Sequence, residues 1–450
     1  MEPRKDLEQI ARASLASVDP RAIITNSVRR EAGILRVSAG DVRHDYDLAH
    51  FRRLVVLGFG KAAGPMARAV EEVLGSRIDT GLIVVKPGQE QPLQRIRQVP
   101  GGHPVPSEES ARAAAQIAAL ADEADERTLV ITLISGGGSS LLAAPIRQGE
   151  GVTLADIQET TRQLLACGAA IGEMNCIRKH LLLLAGGKLA QRIAPATSVS
   201  LILSDVVGDD LQTIASGPTC PDSTTYAQAL SIVEYYGIGG MLPKPVMDIL
   251  RDGHAGKLPE TPKPGAAEFS FTSNILVGTN LLALKSAADE ARRLGYHPLI
   301  LTSHIAGEAR EVARVLAAVA KDITASGLPC ARPLCILTGG ETTVTLRGEG
   351  KGGRNQEMAL AFLWEMEKDP ALLRGTHFLS FSTDGEDGPT DAAGGFALAS
   401  MGEAARAAHL SIPNALRAND SYTLLKRIDG LFVTGPSNTN VCDIQIVLAV

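Results

Sequence analysis

The sequence lacks any apolar run near the roughly 18 residues that a membrane span needs, and its start, MEPRKDLEQIARASL, lacks an apolar signal core. Its six cysteines are scattered, at positions 167, 176, 220, 330, 335 and 442. They form neither a C-x-x-C pair nor a cluster with histidine, which argues against a zinc site and against a disulfide framework. We therefore expect a reduced, soluble protein of the cytoplasm, with no membrane partner.

Excess positive charge and phosphate-loop motifs are also absent. The net charge is −6 and the isoelectric point is about 5.9, which argues against nucleic acid as a partner. None of the four Gly-Lys pairs is followed by Ser or Thr, so a Walker A loop is excluded. Aromatic residues make up only 4% of the chain, and no aromatic-rich segment marks an adenine pocket. Any anionic ligand must therefore be held by locally placed Lys and Arg side chains.

The sequence does contain a regular alternation of apolar runs and helical segments. In the first half, the apolar runs lie at 54–57, 81–85, 129–134 and 200–203. Continuous apolar runs, rather than alternating ones, are typical of parallel strands that are covered on both faces. The first half is therefore predicted to be an α/β domain.

A proline-rich segment at 258–269 interrupts this alternation, which restarts with an apolar run at 274–278. The sequence thus predicts an α/β fold of two Rossmann-like, three-layer domains, at 1–260 and 270–450. Ligands of such folds bind at the C-terminal ends of the strands, where we expect the functional residues.

The segment Gly58-Phe59-Gly60-Lys61-Ala62-Ala63 fits the G-x-G-x-x-A pattern between a strand and a helix. Lys61 places a cation inside this turn, and Lys86 stands where a ribose-binding acid would be expected. Three interpretations stay open: a structural turn, a phosphate or substrate-anion site that includes Gly58, Gly60 and Lys61, and a nicotinamide cofactor site.

A second glycine-rich turn follows the run at 129–134. Its members are Ser135, Gly136, Gly137, Gly138, Ser139 and Ser140. Three glycines flanked by hydroxyls favour a backbone-amide site for phosphate or for a ligand carboxylate, with a tight structural turn as the alternative. Farther along, Arg178 and Lys179 offer cations for a substrate carboxylate, unless they only cover a helix surface.

Two carboxylates also follow apolar runs directly. Asp205 comes just after 200–203, where it could accept a substrate hydroxyl proton or hold Mg²⁺. Asp384 follows the run at 378–381 in the acidic segment STDGEDGPTD, and oxygen-rich turns suit Mg²⁺ that bridges to phosphates. Caps and solvated turn acids are the alternatives.

The segment 334–357, LCILTGGETTVTLRGEGKGGRNQE, combines most of these signals. An apolar strand runs into Gly339-Gly340-Glu341, and a short strand is predicted at 343–346. A loop with four glycines then leads to Arg354, and Asn355 opens a helix. Glycines and a helix N-terminus beside basic groups favour an anion site, and a mobile hairpin loop is the alternative.

These segments together resemble the class II glycerate kinases, the glycerate 2-kinases whose C-terminal portion is called the MOFRL domain. The resemblance covers about residue 50 to the C-terminus. It is carried, in this order, by LGFGKAA, GGHPVPSE, LISGGGSSLL, IRKHL, LILSDVVGDDLQTIASGPT, GGETTVTLRGEGKGGRNQE, STDGEDGPTDAAG, NDSY and TGPSNTNVCDIQI.

The resemblance implies an active site in a cleft between two α/β domains, with the MOFRL region at about 330–446 of the second. It implies phosphorylation of D-glycerate at its 2-hydroxyl by ATP with Mg²⁺. The implied catalytic set is Lys61, Asp205 and Arg354, with Asp384 or Glu341 as possible Mg²⁺ ligands.

Two other functions stay as alternatives. Some relatives are labelled hydroxypyruvate reductases, which fits the G-x-G-x-x-A pattern, and the turn at 135–140 would also suit a phosphosugar-binding or isomerase-type protein. The oligomeric state is left open, a homodimer included.

Overall fold

The structure is a computed structural model that describes residues 2–146 and 151–450. The chain forms two compact units. The N-terminal unit comprises Pro20–Ser204 and Asp209–Val277, and the C-terminal unit comprises Met1–Asp19, Asp205–Gly208 and Gly278–Val450. Among the described residues, no helix combines the length and the apolar character that crossing a bilayer requires.

The helices and strands follow the chain in this order. Helices α1 to α16 span Pro3–Ser17, Pro20–Ser27, Ala63–Leu74, Glu108–Asp122, Gly138–Leu141, Leu154–Ala166, Ile171–Leu181, Lys188–Ile193, Tyr226–Tyr235, Lys244–His254, Asn280–Arg293, Ala309–Ser326, Arg354–Lys368, Met401–Ala407, Ile412–Arg417 and Ser421–Arg427. Strands β1 to β15 span Val28–Glu31, Ile34–Ala39, Val42–Asp47, Arg53–Phe59, Thr80–Val85, Ile96–Pro100, Thr128–Ile134, Thr197–Leu203, Thr272–Gly278, His297–Ile305, Leu334–Gly340, Thr376–Ser382, Gly394–Ala397, Leu431–Phe432 and Asp443–Ala449.

The N-terminal unit is built on a six-stranded sheet in the order β6-β5-β4-β7-β8-β9. Strand β4 pairs in parallel with β5 on one side and with β7 on the other. These strands are buried almost throughout, as their apolar runs predict. Because the strand order reverses between β4 and β7, the crevice where such sheets bind ligands lies at the ends of these two strands.

The C-terminal unit has a six-stranded sheet in the order β10-β11-β15-β12-β13-β14. Strand β11 runs parallel to β10, but β15 is antiparallel to both β11 and β12. This sheet is therefore mixed. Both units are α/β, so the predicted fold class is confirmed.

The predicted domain bounds differ from the compact units in three places. Asp205–Gly208 belongs to the C-terminal unit although it lies within the predicted first domain. Helix α1 belongs to the C-terminal unit, where Leu7, Ile10 and Ala11 are buried and the helix packs on α11. Strand β9 lies beside β8 in the N-terminal sheet, so the alternation restarts after this strand and not with it. An amphipathic or apolar pattern indicates that a face is buried, but it does not indicate which sheet buries it.

Two local elements also differ from the sequence prediction. The short strand predicted at 343–346 does not form, and Thr343 makes only an isolated bridge with Glu308. Conversely, 28–47 contains a three-stranded antiparallel sheet, β1-β2-β3, for which no prediction was made. Three of its strand residues are buried, Val28, Leu35 and Val37, so the apolar signal of a buried strand is weak there.

Candidate active site

The turn after β4 packs directly against the turn after β7. The backbone N–H of Lys61 donates to the carbonyl of Gly136 at 2.9 Å, and that of Ala62 donates to Ser135 Oγ at 2.9 Å. Gly60 has φ +122°, and a Cβ there would lie 2.5 Å from the Ser135 carbonyl oxygen. Its lack of a side chain therefore serves a close approach between two segments of the protein. The amides of Lys61 and Ala62 are already bonded and are not available to a dinucleotide pyrophosphate.

Other predicted glycines shape the same turns. A Cβ on Gly58 would lie 2.8 Å from Ile83 Cγ2, and one on Gly138 would lie 2.8 Å from Ala215 Cβ. Gly137 adopts the left-handed conformation, with φ +80°, and starts the short helix α5. These three glycines thus fix the shape of the strand ends.

A chain of polar side chains continues from this turn. Ser139 Oγ lies 2.8 Å from Ser216 Oγ, which donates to Asn175 Oδ1 at 3.2 Å. Ala215 and Ser216 both have positive φ, at 50° and 61°, a conformation that costs non-glycine residues about 1–3 kcal/mol each. The Gly186 N–H holds the Ser216 carbonyl at 2.9 Å. Such strain is typical of a functional turn.

Arg178 lies three residues after Asn175 on α7, so the two side chains share one helix face. Its Nε atom is buried and has no hydrogen-bond partner within the described chain. Burial also lowers the pKa of the guanidinium, because the charged form is separated from water. A buried cation that lacks an anion is unfavourable, so Arg178 marks a place for an anionic ligand.

Lys179, by contrast, has an internal partner. It is 4% exposed and its Nζ lies 3.2 Å from Oδ1 of Asp222, which is fully buried. Its own carbonyl accepts a hydrogen bond from Lys188 Nζ at 2.5 Å. We therefore correct the prediction that Lys179 binds substrate, and assign it to the buried ion pair with Asp222.

His103 was not among the predicted site residues, but it lies in this site. A Cβ built on Gly137 would lie 2.8 Å from His103 Nε2 and 3.4 Å from Lys61 Cγ. Burial and, to a smaller extent, the charges of Lys61 and Lys86 together lower the pKa of His103 to about 4. Lys61 itself makes no ion pair with any described residue. The turn thus brings together a lysine and a neutral imidazole.

In the C-terminal unit, Arg354 begins α13 and is held by two carboxylates. Its Nε and Nη2 donate to the two oxygens of Asp443 at 2.5 and 2.8 Å, and its Nη1 lies 3.1 Å from Glu341 Oε1. Burial opposes its charge, yet these bonds and charges hold the pKa of Arg354 above its usual value. The guanidinium edge that could bind phosphate through two hydrogen bonds, Nε and Nη2, is thus occupied by Asp443, which is fully buried.

The glycine-rich loop before α13 packs against protein. Cβ atoms on Gly348, Gly350, Gly352 and Gly353 would lie within 2.2–2.5 Å of atoms in 387 and 418–421. The Asp387 carboxylate accepts from the backbone N–H groups of Asn355 and Gln356 at 3.1 and 2.8 Å. The anion at this helix N-terminus is therefore a side chain of the protein.

Asn355 itself is fully buried. Its Oδ1 accepts a hydrogen bond from Ser380 at 2.6 Å, and its Nδ2 lies 3.3 Å from Asp387. Since both ends of the amide are bonded internally, we correct the prediction that Asn355 binds a ligand. Burial raises the pKa of Asp387 to about 6 although the two backbone amides favour its charged form.

The predicted metal residues lie in the same unit. Burial raises the pKa of Glu341, and the charges of Asp443, Asp205 and Asp384 raise it further, against the effect of Arg354. Asp384 Oδ1 accepts from Ser382 Oγ at 2.7 Å. The described residues contain no group of three or more His, Cys, Asp or Glu side chains arranged to hold a metal ion. A divalent ion would need further oxygen ligands from outside the protein.

Several of these residues were missed by the sequence analysis. Ser216, Asp387 and Asp443 lie within the quoted segments and Asn175 lies two residues before IRKHL, but their roles depend on partners far away in sequence. Only the Ser-Gly-Pro turn at 216–218 gave a local signal of unusual backbone, and it was not used.

Together, a strand-end site with uncompensated cations and a second site rich in carboxylates define an α/β protein that binds small anionic ligands. Residues 6–251 match the family described as a domain of unknown function, DUF4147, and residues 334–443 match the MOFRL family. A glycerate 2-kinase of Pyrococcus horikoshii is 39% identical over 397 residues, which cover 88% of this chain and 87% of that protein.

The crystal structure of a glycerate kinase from Thermotoga maritima superposes with a TM-score of 0.86 at 36% identity, covering 99% of each chain. A protein of Agrobacterium vitis that carries a provisional name as a hydroxypyruvate reductase is 40% identical over 448 residues, 99% of this chain and 94% of its own. The chain belongs to the MOFRL-containing glycerate kinase family, and the resemblance found from its motifs is confirmed.

Proposed function

We propose that the protein is a glycerate 2-kinase, which phosphorylates D-glycerate at its 2-hydroxyl with MgATP. The observation that carries this proposal is the N-terminal site, where Lys61 and the buried Arg178 lack carboxylate partners among the described residues. A small acid that gains a phosphoryl group supplies the negative charge that such a site lacks.

Phosphoryl transfer depends mainly on positioning and on neutralising spreading charge. We assign Arg178 to the glycerate carboxylate, and Lys61 to the phosphoryl group that is transferred. Ser139 supplies a hydroxyl that is already oriented by Ser216. The turn at 135–140 would hold these groups in place, which is the form of catalysis that this reaction requires.

Arg354 is the second cation that the resemblance places in the catalytic set. In this structure, Asp443 and Glu341 stabilise the charged form of its guanidinium. A phosphate oxygen would compete with Glu341 for Nη1, while Asp443 would keep the guanidinium oriented through the other edge. Arg354 is therefore proposed to contact phosphate with one edge only.

ATP and Mg²⁺ are the proposed cofactors. The oxygen-only donors Asp384 and Glu341 fit Mg²⁺, which in kinases is bound by one or two carboxylates together with substrate phosphates. Glu341 has a half-exposed side chain, at 48%. Its pKa is raised first by burial and then by repulsion from neighbouring acids, and a cation would relieve that repulsion. Bound Mg²⁺ would neutralise phosphate charge. Asp205 joins this acidic group electrostatically, and we propose it for the metal or for the substrate hydroxyl.

No structural observation among the described residues favours the reductase alternative, although one relative carries that provisional name. The G-x-G-x-x-A turn that suggested it is filled by Ser135 and Gly136. A phosphosugar-binding function would use the same turn but would not need ATP. A cytoplasmic location, a homodimer and an active site in an interdomain cleft stay predictions.

The test is a product assay with two pairs of substrates, D-glycerate with MgATP and hydroxypyruvate with NAD(P)H. Purified protein is incubated with D-glycerate and MgATP, and enolase alone is used as the coupling enzyme, because it accepts 2-phosphoglycerate but not the 3-isomer. We expect ADP and an enolase signal in equal amounts. ADP without an enolase signal would overturn the regiochemistry, and NAD(P)H oxidation with hydroxypyruvate but no ADP would overturn the kinase assignment.

A further inference from the structure

His103 follows β6 and lies at the same edge of the sheet as the turns after β4 and β7. Its Nε2 and Cδ2 atoms would both lie 2.8 Å from a Cβ built on Gly137, and the Lys61 side chain would lie 3.4 Å from the same point. The imidazole and Lys61 thus flank one backbone position of the turn that we assign to the substrate.

His180 and His103, two histidines of this unit, differ in their bonding. His180 has both ring nitrogens bonded, to the Cys176 carbonyl at 2.7 Å and to Glu260 at 3.1 Å, and it is fully buried. His103 is only partly buried, and neither of its ring nitrogens makes a hydrogen bond within the described chain. His180 therefore has the bonding of a structural residue, whereas His103 keeps its hydrogen-bonding capacity for a ligand.

The charges around His103 are all of one sign. The groups that act on its titration, apart from burial, are Lys61 from the turn after β4 and Lys86 from the end of β5. They favour the neutral imidazole, so the ring is a proton acceptor and not a cation at neutral pH. An anionic ligand on the lysines would offset their charge and strengthen the ring as a base.

We propose that His103 accepts the hydroxyl proton of the substrate during phosphoryl transfer. This inference rests on the proposed kinase function. The hydroxyl proton passes to an imidazole nitrogen, and the oxygen forms a bond to the γ-phosphorus of ATP. The bond between that phosphorus and the bridging oxygen breaks, and ADP leaves with the electron pair.

The test compares His103→Gln with the wild type in pH profiles of kcat and kcat/KM. Gln keeps a hydrogen-bonding group but cannot take the proton, so we expect kcat to fall by roughly 10²- to 10⁴-fold. The wild type should lose activity at acid pH, with the midpoint for kcat at a higher pH than that for kcat/KM, because only kcat reports the anion-bound state. This acid limb should be absent from His103→Gln. The control is His50→Gln, at a side chain that is 78% exposed.

A second measurement does not depend on turnover. Calorimetric titration of D-glycerate in two buffers of different ionisation enthalpy should show proton uptake by the wild type but not by His103→Gln. An unchanged kcat, an unchanged acid limb in His103→Gln, or loss of the limb in Asp205→Asn instead would overturn the assignment. If the wild type takes up a proton with D-glycerate but makes no phosphoglycerate, the proposed kinase function fails while the His103 site stands.

Discussion

The two glycine-rich strand ends of this protein look alike in sequence and differ in their surroundings. At 135–140, glycines shape a turn beside Lys61 and His103, and Ser216 and Asn175 connect it to the helix of Arg178, whose Nε has no partner among the described residues. At 348–353, glycines let the loop pack on 418–421, and the nearby charges are compensated within the protein. Glycine permits a close approach, and only the neighbouring charges indicate whether a ligand or the protein itself approaches.

This contrast predicts different effects of substitution in the two regions. Removing a cation from the N-terminal site should reduce activity and leave stability unchanged. Removing Arg354 should reduce both, because a buried carboxylate loses its partner.

The largest effect is expected from Arg354→Met. It would leave the fully buried Asp443 without its bidentate partner, which should lower the free energy of unfolding by about 3–5 kcal/mol. Urea denaturation measures this change. The double variant Arg354→Met/Asp443→Asn should recover part of the stability but none of the activity, because it removes the unpaired charge.

The matched control for this pair is Arg293→Met. Arg293 bonds Glu290 at 2.5 Å on the surface of α11, with 65% of its side chain exposed, and such pairs contribute at most about 1 kcal/mol. Equal losses of unfolding free energy in Arg354→Met and Arg293→Met would show that the buried pair contributes no more to stability than an exposed pair does.

Lys61→Met tests the N-terminal site, where we expect a loss of activity without a loss of stability. We expect kcat to fall by roughly 10²- to 10³-fold, the scale of losing one preorganised charge that stabilises the transition state, with an unchanged melting temperature. Lys257→Met is the control, because this lysine also follows a glycine but is 68% exposed and pairs with Asp252. A clear drop in melting temperature for Lys61→Met would mean that the lysine is structural.

Arg178→Met should act on substrate binding. Loss of a charge-assisted hydrogen bond predicts a KM for D-glycerate that is roughly 10- to 100-fold higher, with a smaller change in kcat. Because Arg178 Nε has no hydrogen-bond partner among the described residues, the variant should be at least as stable as the wild type. Steady-state kinetics and thermal unfolding measure the two effects. A raised KM for ATP alone would place Arg178 at the nucleotide.

Local patterns predicted the parallel strands β4, β5, β7 and β8, and they placed Lys61 and 135–140 at strand ends. These features depend on continuous apolar runs and on glycines within a few residues. The antiparallel insertion of β15 between β11 and β12 pairs residues that are 61 to 115 positions apart, and Arg354 and Asp443 are 89 positions apart. A single sequence contains no local signal for such pairings.

The same limit explains the glycine-rich loop. Its sequence indicated an anion site at the start of α13, and an anion is bound there, but it is Asp387 from a distant turn. The sequence therefore indicated the kind of group correctly and could not indicate that the protein provides it.

The smallest effect is expected from Lys351→Met, which separates the two cations of that loop. Lys351 Nζ lies 4.3 Å from the centroid of the Tyr422 ring, a cation–π contact of about 0.5–1 kcal/mol. Its backbone N–H, which donates to Asp420 at 3.1 Å, is unaffected by the substitution. We therefore expect a slightly lower free energy of unfolding, and kcat and KM within about twofold of the wild type. If Lys351→Met instead abolishes turnover while Arg354→Lys retains it, then Lys351 contacts the phosphoryl group. Arg354 would in that case serve only to neutralise Asp443, and the catalytic assignment in this unit would move by three residues.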